Sequence, residues 1–405
     1  MPDEPLALSL SDVLGLARLA ADGAGGVTGL VEDMHMAVLD TPGLKPLAGG
    51  LTGGVAGLVY RGVSGAFRLT GQGLGAAAGL VAAGSDDRPT SRRREIALAV
   101  LNGVVGDHLA ATGNPLALTM RFRRDGRPLT PDRQALAEAF PEATGKLAVF
   151  AHGLCMSDLQ WTRQNHDHGA ALARDLGYTP VTLSYNSGLH VSTNGRALAG
   201  ALEALVAAWP APVEDFVIVG HSMGGLVARS ACLEAEAAGL AWRGQLRSLV
   251  CLGTPHHGAP LERIGNWVDV VLGKTPYASA FVRLGKVRSA GVTDLRYGNL
   301  LDEDWQGRDR FARAPDSRRP APLPAGVACY AIAATTAASE GDLGDRLLGD
   351  GLVPVTSALG RHDDPARTLA FPPDRQWVAT RTGHLDLLSR RDVYERMEGW
   401  LRQGR

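Results

Sequence analysis

The stretch Asp215-Phe-Val-Ile-Val-Gly-His-Ser-Met-Gly-Gly225 constrains this chain more than any other. Phe216 to Val219 is a short β-branched and aromatic run, the pattern of a buried parallel strand. It leads into Gly220-His221-Ser222-Met223-Gly224, a G-x-S-x-G sequence, and then into Leu226-Val-Ala-Arg-Ser-Ala-Cys-Leu-Glu-Ala, which reads as a helix. A serine at so sharp a strand-to-helix turn stands clear above the sheet edge, at the positive end of the helix. Glycines flank it because a side chain there would strike the backbone of the turn.

The remaining sequence supplies the sheet that such a turn needs. Strands are expected at Leu147–Ala151, Thr179–Tyr185, Phe216–Val219, Leu249–Leu252, Ala328–Ile332 and Gln376–Ala379. Helical patterns alternate with them at Gly169–Leu176, Asn194–Trp209, Gly224–Ala238 and Arg391–Arg402. Ahead of these come a capped, amphipathic helix (Arg92–Ala111), a hairpin turning at Asp125-Gly126, and a short helix (Asp132–Phe140). Pro128 restricts the second hairpin strand to a sheet edge. Together these predict an α/β fold: a mostly parallel sheet with helices on both faces.

Two stretches stand outside the alternation. Residues 261–324 contain no strand pattern and carry Trp267, Tyr277, Phe281, Tyr297, Trp305 and Phe311, so a lid or cap insertion is expected there. Residues 1–90 form an N-terminal Gly/Ala-rich helical extension, with the polar break Ser85–Ser91 separating it from a catalytic domain over 91–405. Within it, Gly49, Gly53, Gly57 and again Gly71, Gly75, Gly79 recur every fourth residue, a spacing that lets two helix backbones approach closely. Residues 47–84 fit a reversible lipid-surface or self-association contact, a packed helical appendage, or a linker.

The chain has 405 residues, 45% hydrophobic and 20% charged, with a formal net charge of −1. That near-neutral balance argues against nucleic acid as a partner. Cys155, Cys232, Cys251 and Cys329 lack ligand-like spacing and read as buried thiols. The acidic start Met1-Pro-Asp-Glu-Pro lacks a basic leader, and no run is apolar throughout the ~18 residues of a spanning helix. Cytoplasmic residence is the expectation, with peripheral lipid contact as the variant.

Nucleophilic attack by Ser222 needs a base, a carboxylate to orient it, and donors for an oxyanion. His384, in Thr382-Gly-His-Leu-Asp386 after the last strand, is the candidate base. Asp350, between two glycines after the penultimate strand, is the candidate carboxylate, with Asp342 and Asp345 as rivals in the same loop. The backbone N–H groups of Leu154, in Ala151-His-Gly-Leu154, and of Met223 are the candidate oxyanion donors. His152, His221, His256 and His257 are expected to line the substrate site. His166 and His168 lack a third ligand, so no metal is expected.

From about Leu147 onward the chain resembles the α/β-hydrolase superfamily, within it the bacterial serine lipases and the GPI inositol-deacylase-like esterases. The resemblance rests on His152-Gly-Leu, Gly220-His-Ser-Met-Gly-Gly, Gly253-Thr-Pro-His-His-Gly-Ala-Pro260, Asp350-Gly-Leu-Val and Gly383-His-Leu-Asp386. It implies a Ser222–Asp350–His384 triad, no cofactor, and an ester or lipid substrate. In the resembled lipases the position of Asp386 holds a structural calcium, but Pro320 to Thr336 offers no second acid. Asp386 is therefore expected to cap the final helix. Residues 1–90 carry no resemblance. A carboxylic ester hydrolase for medium or long acyl chains is the leading expectation. An acyltransferase or amide/thioester hydrolase would share the triad, and a non-catalytic lipid-binding scaffold is the remaining alternative.

Overall fold

The computed structural model describes residues 12, 14, 15, 18, 19, 92–260, 288–309, 316, 318–339 and 349–403. The expected contact segment 47–84, the first part of the expected lid (261–287), and both Asp342 and Asp345 lie outside the described residues.

The helices used below are α1 (Arg92–Ala111), α2 (Arg133–Ala139), α3 (His168–Leu176), α4 (Val191–Ala207), α5 (Met223–Ala238), α6 (Ala290–Asp294) and α7 (Arg391–Gln403). The strands are β1 (Arg121–Arg124), β2 (Arg127–Pro128), β3 (Lys146–Ala151), β4 (Thr162–Arg163), β5 (His166–Asp167), β6 (Thr179–Ser184), β7 (Asp215–His221), β8 (Leu246–Leu252), β9 (Ala328–Ala334) and β10 (Gln376–Ala379). Eight of them form one sheet in the order β10-β9-β8-β7-β3-β6-β1-β2. Pairings from β6 through β3, β7, β8 and β9 to β10 are all parallel, whereas β1 joins β6 and β2 antiparallel. The β1–β2 turn places Asp125 and Gly126 both at positive φ, the geometry a two-residue hairpin needs. Pro128 sits on the outermost strand, where its missing N–H costs no ladder bond. The small β4–β5 hairpin was not signalled by the sequence: each strand is two residues long, too short for any periodicity.

Alternation along the strands divides the core in two. Leu147 and Val149 of β3, Phe216 and Ile218 of β7, and Cys251 of β8 point to one face, with α4 and α5 residues such as Leu202 and Leu226. Ala148, Phe150, Val217, Val219 and Val250 point to the other, with Leu172 of α3 and Met397 and Trp400 of α7. Both faces are covered, as a parallel sheet requires. All four cysteines are buried and free.

Helix α1 is buried more completely than the capped, amphipathic helix expected over these residues. Residues Ala99 to Gly106 are all buried, and the helix kinks at Val105, where φ is −132°. One reason lies upstream: Leu19 is fully buried in the same core, and Asp12 grips Arg94 through two 2.6 Å contacts. Asp12 and Leu19 therefore pack on the body. The other side of α1 abuts the loops above the sheet: a Cβ on Gly103 would come within 2.3 Å of Cys155 Sγ, and one on Gly106 within 1.9 Å of Asn186 Oδ1.

The described part of the 261–324 stretch is fastened down. Ser289 Oγ donates to Gly103 O at 2.6 Å, and the Val191 N–H donates to Asp294 Oδ2 at 2.8 Å. Trp305 stacks on His190 with ring centroids 3.7 Å apart. Among the described residues, no helix is long and apolar enough to cross a membrane.

Candidate active site

The carboxyl ends of β3, β7, β8, β9 and β10 lead into His152, Ser222, Gly253, Asp350 and His384, all on one edge of the sheet. Such an edge is where an open α/β sheet gathers functional loops. Ser222 follows β7 directly and has φ 56° and ψ −122°, a conformation a non-glycine residue holds only when its surroundings enforce it. The enforcement is visible in the glycines. A Cβ on Gly220 would meet Gly225 Cα at 2.5 Å, one on Gly224 would meet Ala151 O at 2.1 Å, and one on Gly225 would meet Thr254 Oγ1 at 2.0 Å. The turn packs against its own helix, against β3 and against the loop after β8. Ser222 is fully buried, its N–H donates to Leu252 O at 2.8 Å, and its Oγ makes no hydrogen bond among the described residues.

His384 and Asp350 form a buried pair. His384 Nδ1 lies 2.6 Å from Asp350 Oδ2, with both side chains at most 1% exposed. Asp350 Oδ1 accepts from the Leu352 and Val353 N–H groups at 3.0 and 2.8 Å, which fixes the carboxylate before the imidazole reaches it. The loop that sets Asp350 turns at Gly349 and Gly351, both at positive φ. His384 is held from three further directions. Its N–H donates to Asp350 O at 3.2 Å, its carbonyl accepts from His221 Nε2 at 3.1 Å, and a Cβ on Gly253 would come within 3.1 Å of its Cε1. His221, which immediately precedes Ser222, thus ties the His384 loop to the serine turn. A buried carboxylate–imidazole pair thus lies on the same sheet edge as Ser222.

The turn after β3 also reaches Ser222. A Cβ on Gly153 would sit 3.1 Å from Ser222 Cβ and 3.2 Å from His221 Nδ1. Gly153 to Met156 is a closed turn, with the Met156 N–H donating to Gly153 O at 3.3 Å and Cys155 at φ 59°. The Cys155 N–H donates to Ser187 Oγ at 3.0 Å. Neither the Leu154 N–H nor the Met223 N–H donates a hydrogen bond among the described residues.

The four expected lining histidines divide into two pairs. His152 and His221 are buried beside Ser222, and burial holds both below the ordinary imidazole value, His152 at about 4. His256 and His257 enter a separate network. His256 Nδ1 lies 3.2 Å from Arg229 Nη1, and His257 Nε2 lies 3.0 Å from Gly360 O. Arg318 joins them by donating to His256 O at 3.3 Å, with its Nη2 3.5 Å from His257 Nδ1, and it donates also to Gly298 O and Asp316. His168 Nε2 lies 2.8 Å from the Leu387 carbonyl oxygen, and its Nδ1 lies 2.9 Å from His166 Nε2.

Asp386 corrects an expectation. It does not cap α7. Its Oδ2 accepts from the Gly383 N–H at 3.0 Å and so caps the short turn His384–Leu388. Its other oxygen, Oδ1, lies 4.0 Å from Arg163 Nη2. Tyr185 escaped the sequence reading. It stacks on His152 at 4.3 Å, and its hydroxyl donates to His152 O at 2.7 Å. An aromatic residue at a strand end gives no sign of such a contact.

Residues 142–315 match the family model described as PGAP1-like alpha/beta domain. The fold is the α/β-hydrolase fold. It carries the Ser222, Asp350 and His384 loops in chain order along one sheet edge. No curated protein matches the chain. Among solved structures, the mature form of a Bacillus licheniformis lipase is similar over 70% of this chain and 97% of its own, at 17% identity and a TM-score of 0.43. A thermophilic esterase is similar over 64% of this chain and 90% of its own, at 15% identity and a TM-score of 0.36. EstA from Clostridium botulinum is similar over 64% and 87%, at 12% identity and a TM-score of 0.37.

Proposed function

We propose that the chain is a serine hydrolase that cleaves carboxylic esters through an acyl-enzyme on Ser222. The observation that carries this reading is the buried 2.6 Å contact between His384 and Asp350, beside a serine whose backbone is held at positive φ. In the reaction, Ser222 Oγ attacks the ester carbonyl carbon while His384 Nε2 takes the hydroxyl proton. Asp350 holds the imidazole in orientation and stabilises the imidazolium. The carbonyl oxygen, now an oxyanion, is received by the Leu154 and Met223 N–H groups, and the latter adds the field of the α5 N-terminus. Collapse expels the alcohol, which leaves with the proton from His384. Water then repeats the sequence and releases the acid.

An acyl group of medium or long chain is the substrate class proposed. An acyltransferase would differ only in its second acceptor. A fluorophosphonate probe tests the nucleophile, and a panel of p-nitrophenyl esters from acetate to palmitate tests the substrate. Labelling at Ser222 and a preference beyond butyrate are expected. An unlabelled protein without turnover on any ester would overturn the reading.

A further inference from the structure

The peptide between Gly153 and Leu154 is the one whose N–H the proposed reaction uses. In a trans peptide the C=O and the next N–H point in opposite directions, so whatever fixes the Gly153 carbonyl also fixes where the Leu154 N–H points. No cis bond interrupts this among the described residues. Two donors fix that carbonyl: the Met156 N–H at 3.3 Å and His152 Nδ1 at 2.9 Å. A deprotonated Nδ1 would set two lone pairs against each other at that distance. His152 therefore carries its proton on Nδ1 and donates to Gly153 O. Its Nε2 makes no hydrogen bond, so this is the one polar tie of the ring among the described residues.

The ring itself cannot swing away. It is 1% exposed and stacked on Tyr185 at an interplanar angle of 19°. The Tyr185 hydroxyl holds the carbonyl of the same histidine at 2.7 Å. Released from His152, the Gly153–Leu154 peptide would keep only the longer Met156 bond. Its first residue is a glycine, the residue least resistant to backbone rotation. A flipped peptide would present a carbonyl oxygen where a donor is needed.

We infer that His152 is a positioning residue that locks the Gly153–Leu154 peptide with its N–H turned toward Ser222, instead of a residue that meets the substrate. The inference rests on the proposed acyl-enzyme reading. Burial keeps the imidazole neutral, with its pKa lowered to about 4, so the lock holds across the neutral range.

Three substitutions separate the roles of the ring. His152→Asn keeps a donor at the Nδ1 position, His152→Gln moves it outward, and His152→Phe keeps the stack on Tyr185 with no donor. The measurements are kcat and KM on a short ester, plus affinity for a trifluoromethyl ketone, whose adduct carries the oxyanion. Losing an oxyanion donor costs about 10²–10³ in kcat, so His152→Phe should fall in that range with KM little changed and ketone affinity reduced in parallel. His152→Asn should stay within about tenfold of the parent. If the Phe variant does not fold, the Asn and Gln variants decide, with Asn expected well above Gln. Equal kcat for Asn and Gln, or an unchanged kcat in a folded Phe variant, would overturn the lock while parental turnover and Ser222 labelling left the acyl-enzyme reading standing. A parent without Ser222 labelling or turnover would remove both.

Discussion

Asp350 grips His384 at two points: Oδ2 meets the imidazole Nδ1 at 2.6 Å, and the main-chain carbonyl accepts the His384 N–H at 3.2 Å. The second contact fixes the backbone and the first fixes the ring. Only the first depends on the carboxylate.

Asp350→Asn should therefore leave the His384 loop in place and disable the imidazole, because an amide cannot stabilise the imidazolium. A fall in kcat of roughly three to four orders of magnitude is expected, with the melting temperature changed far less. Asp342→Asn and Asp345→Asn should stay near parental activity. A severe loss at Asp345 with a mild one at Asp350 would move the carboxylate role.

Acid should destabilise the protein through its buried histidines. Burial lowers His152 and His168 to about 4 and holds His221 and His256 well below their ordinary value. Unfolded histidines take protons near pH 6.5, so between 6.5 and 4 the unfolded chain binds more protons than the folded one. Stability must then fall as pH falls through that window. Urea unfolding at pH 5 and pH 6 measures the slope. His168→Gln should reduce it by about 1.4 kcal/mol per pH unit, one proton's share. An unchanged slope would mean that His168 titrates normally when folded.

Gly224→Ala should damage the serine turn with no local remedy. The new methyl would point at Ala151 O and His152 O, at 2.1 and 2.6 Å, and these are main-chain atoms of β3 and its exit that no rotamer change can move. A loss of about 1–3 kcal/mol or more in unfolding free energy is expected, together with lower Ser222 labelling in what remains folded. Parental stability and labelling would show that the turn has slack the packing does not suggest.

Leu19→Ala tests whether Leu19 belongs to the core. Leu19 is fully buried in the same core as α1, so truncation should cost about 2–5 kcal/mol. A silent substitution would mean that the contact of Leu19 with the core contributes nothing to stability.

Strand positions, helix placement and the loops bearing Ser222, Asp350 and His384 were legible because they rest on local signals: β-branched runs, a G-x-S-x-G turn, and glycines around Asp350; the order of strands in the sheet was not. β10 spans Gln376–Ala379 as the sequence predicts. What stayed hidden depends on contacts distant in sequence. The burial of α1 arises from Leu19, Cys155 and Asn186, which no periodicity within α1 encodes. His152 and His221 read as lining residues, yet their polar atoms turn to the main chain at Gly153 and His384. Asp386 sits at a plausible cap position, but its partner is the turn of His384 and not the helix five residues on.

The central claim is that Ser222 becomes acylated. Intact-mass and peptide analysis after brief exposure to a fluorophosphonate, or to a p-nitrophenyl ester quenched in acid, reads this directly in the parent and in Ser222→Ala. The account predicts one adduct per chain, located on Ser222, and its loss in Ser222→Ala along with ester turnover to below about a thousandth of the parent. An adduct on another residue, or a folded Ser222→Ala variant that keeps more than about a tenth of the turnover, would contradict it.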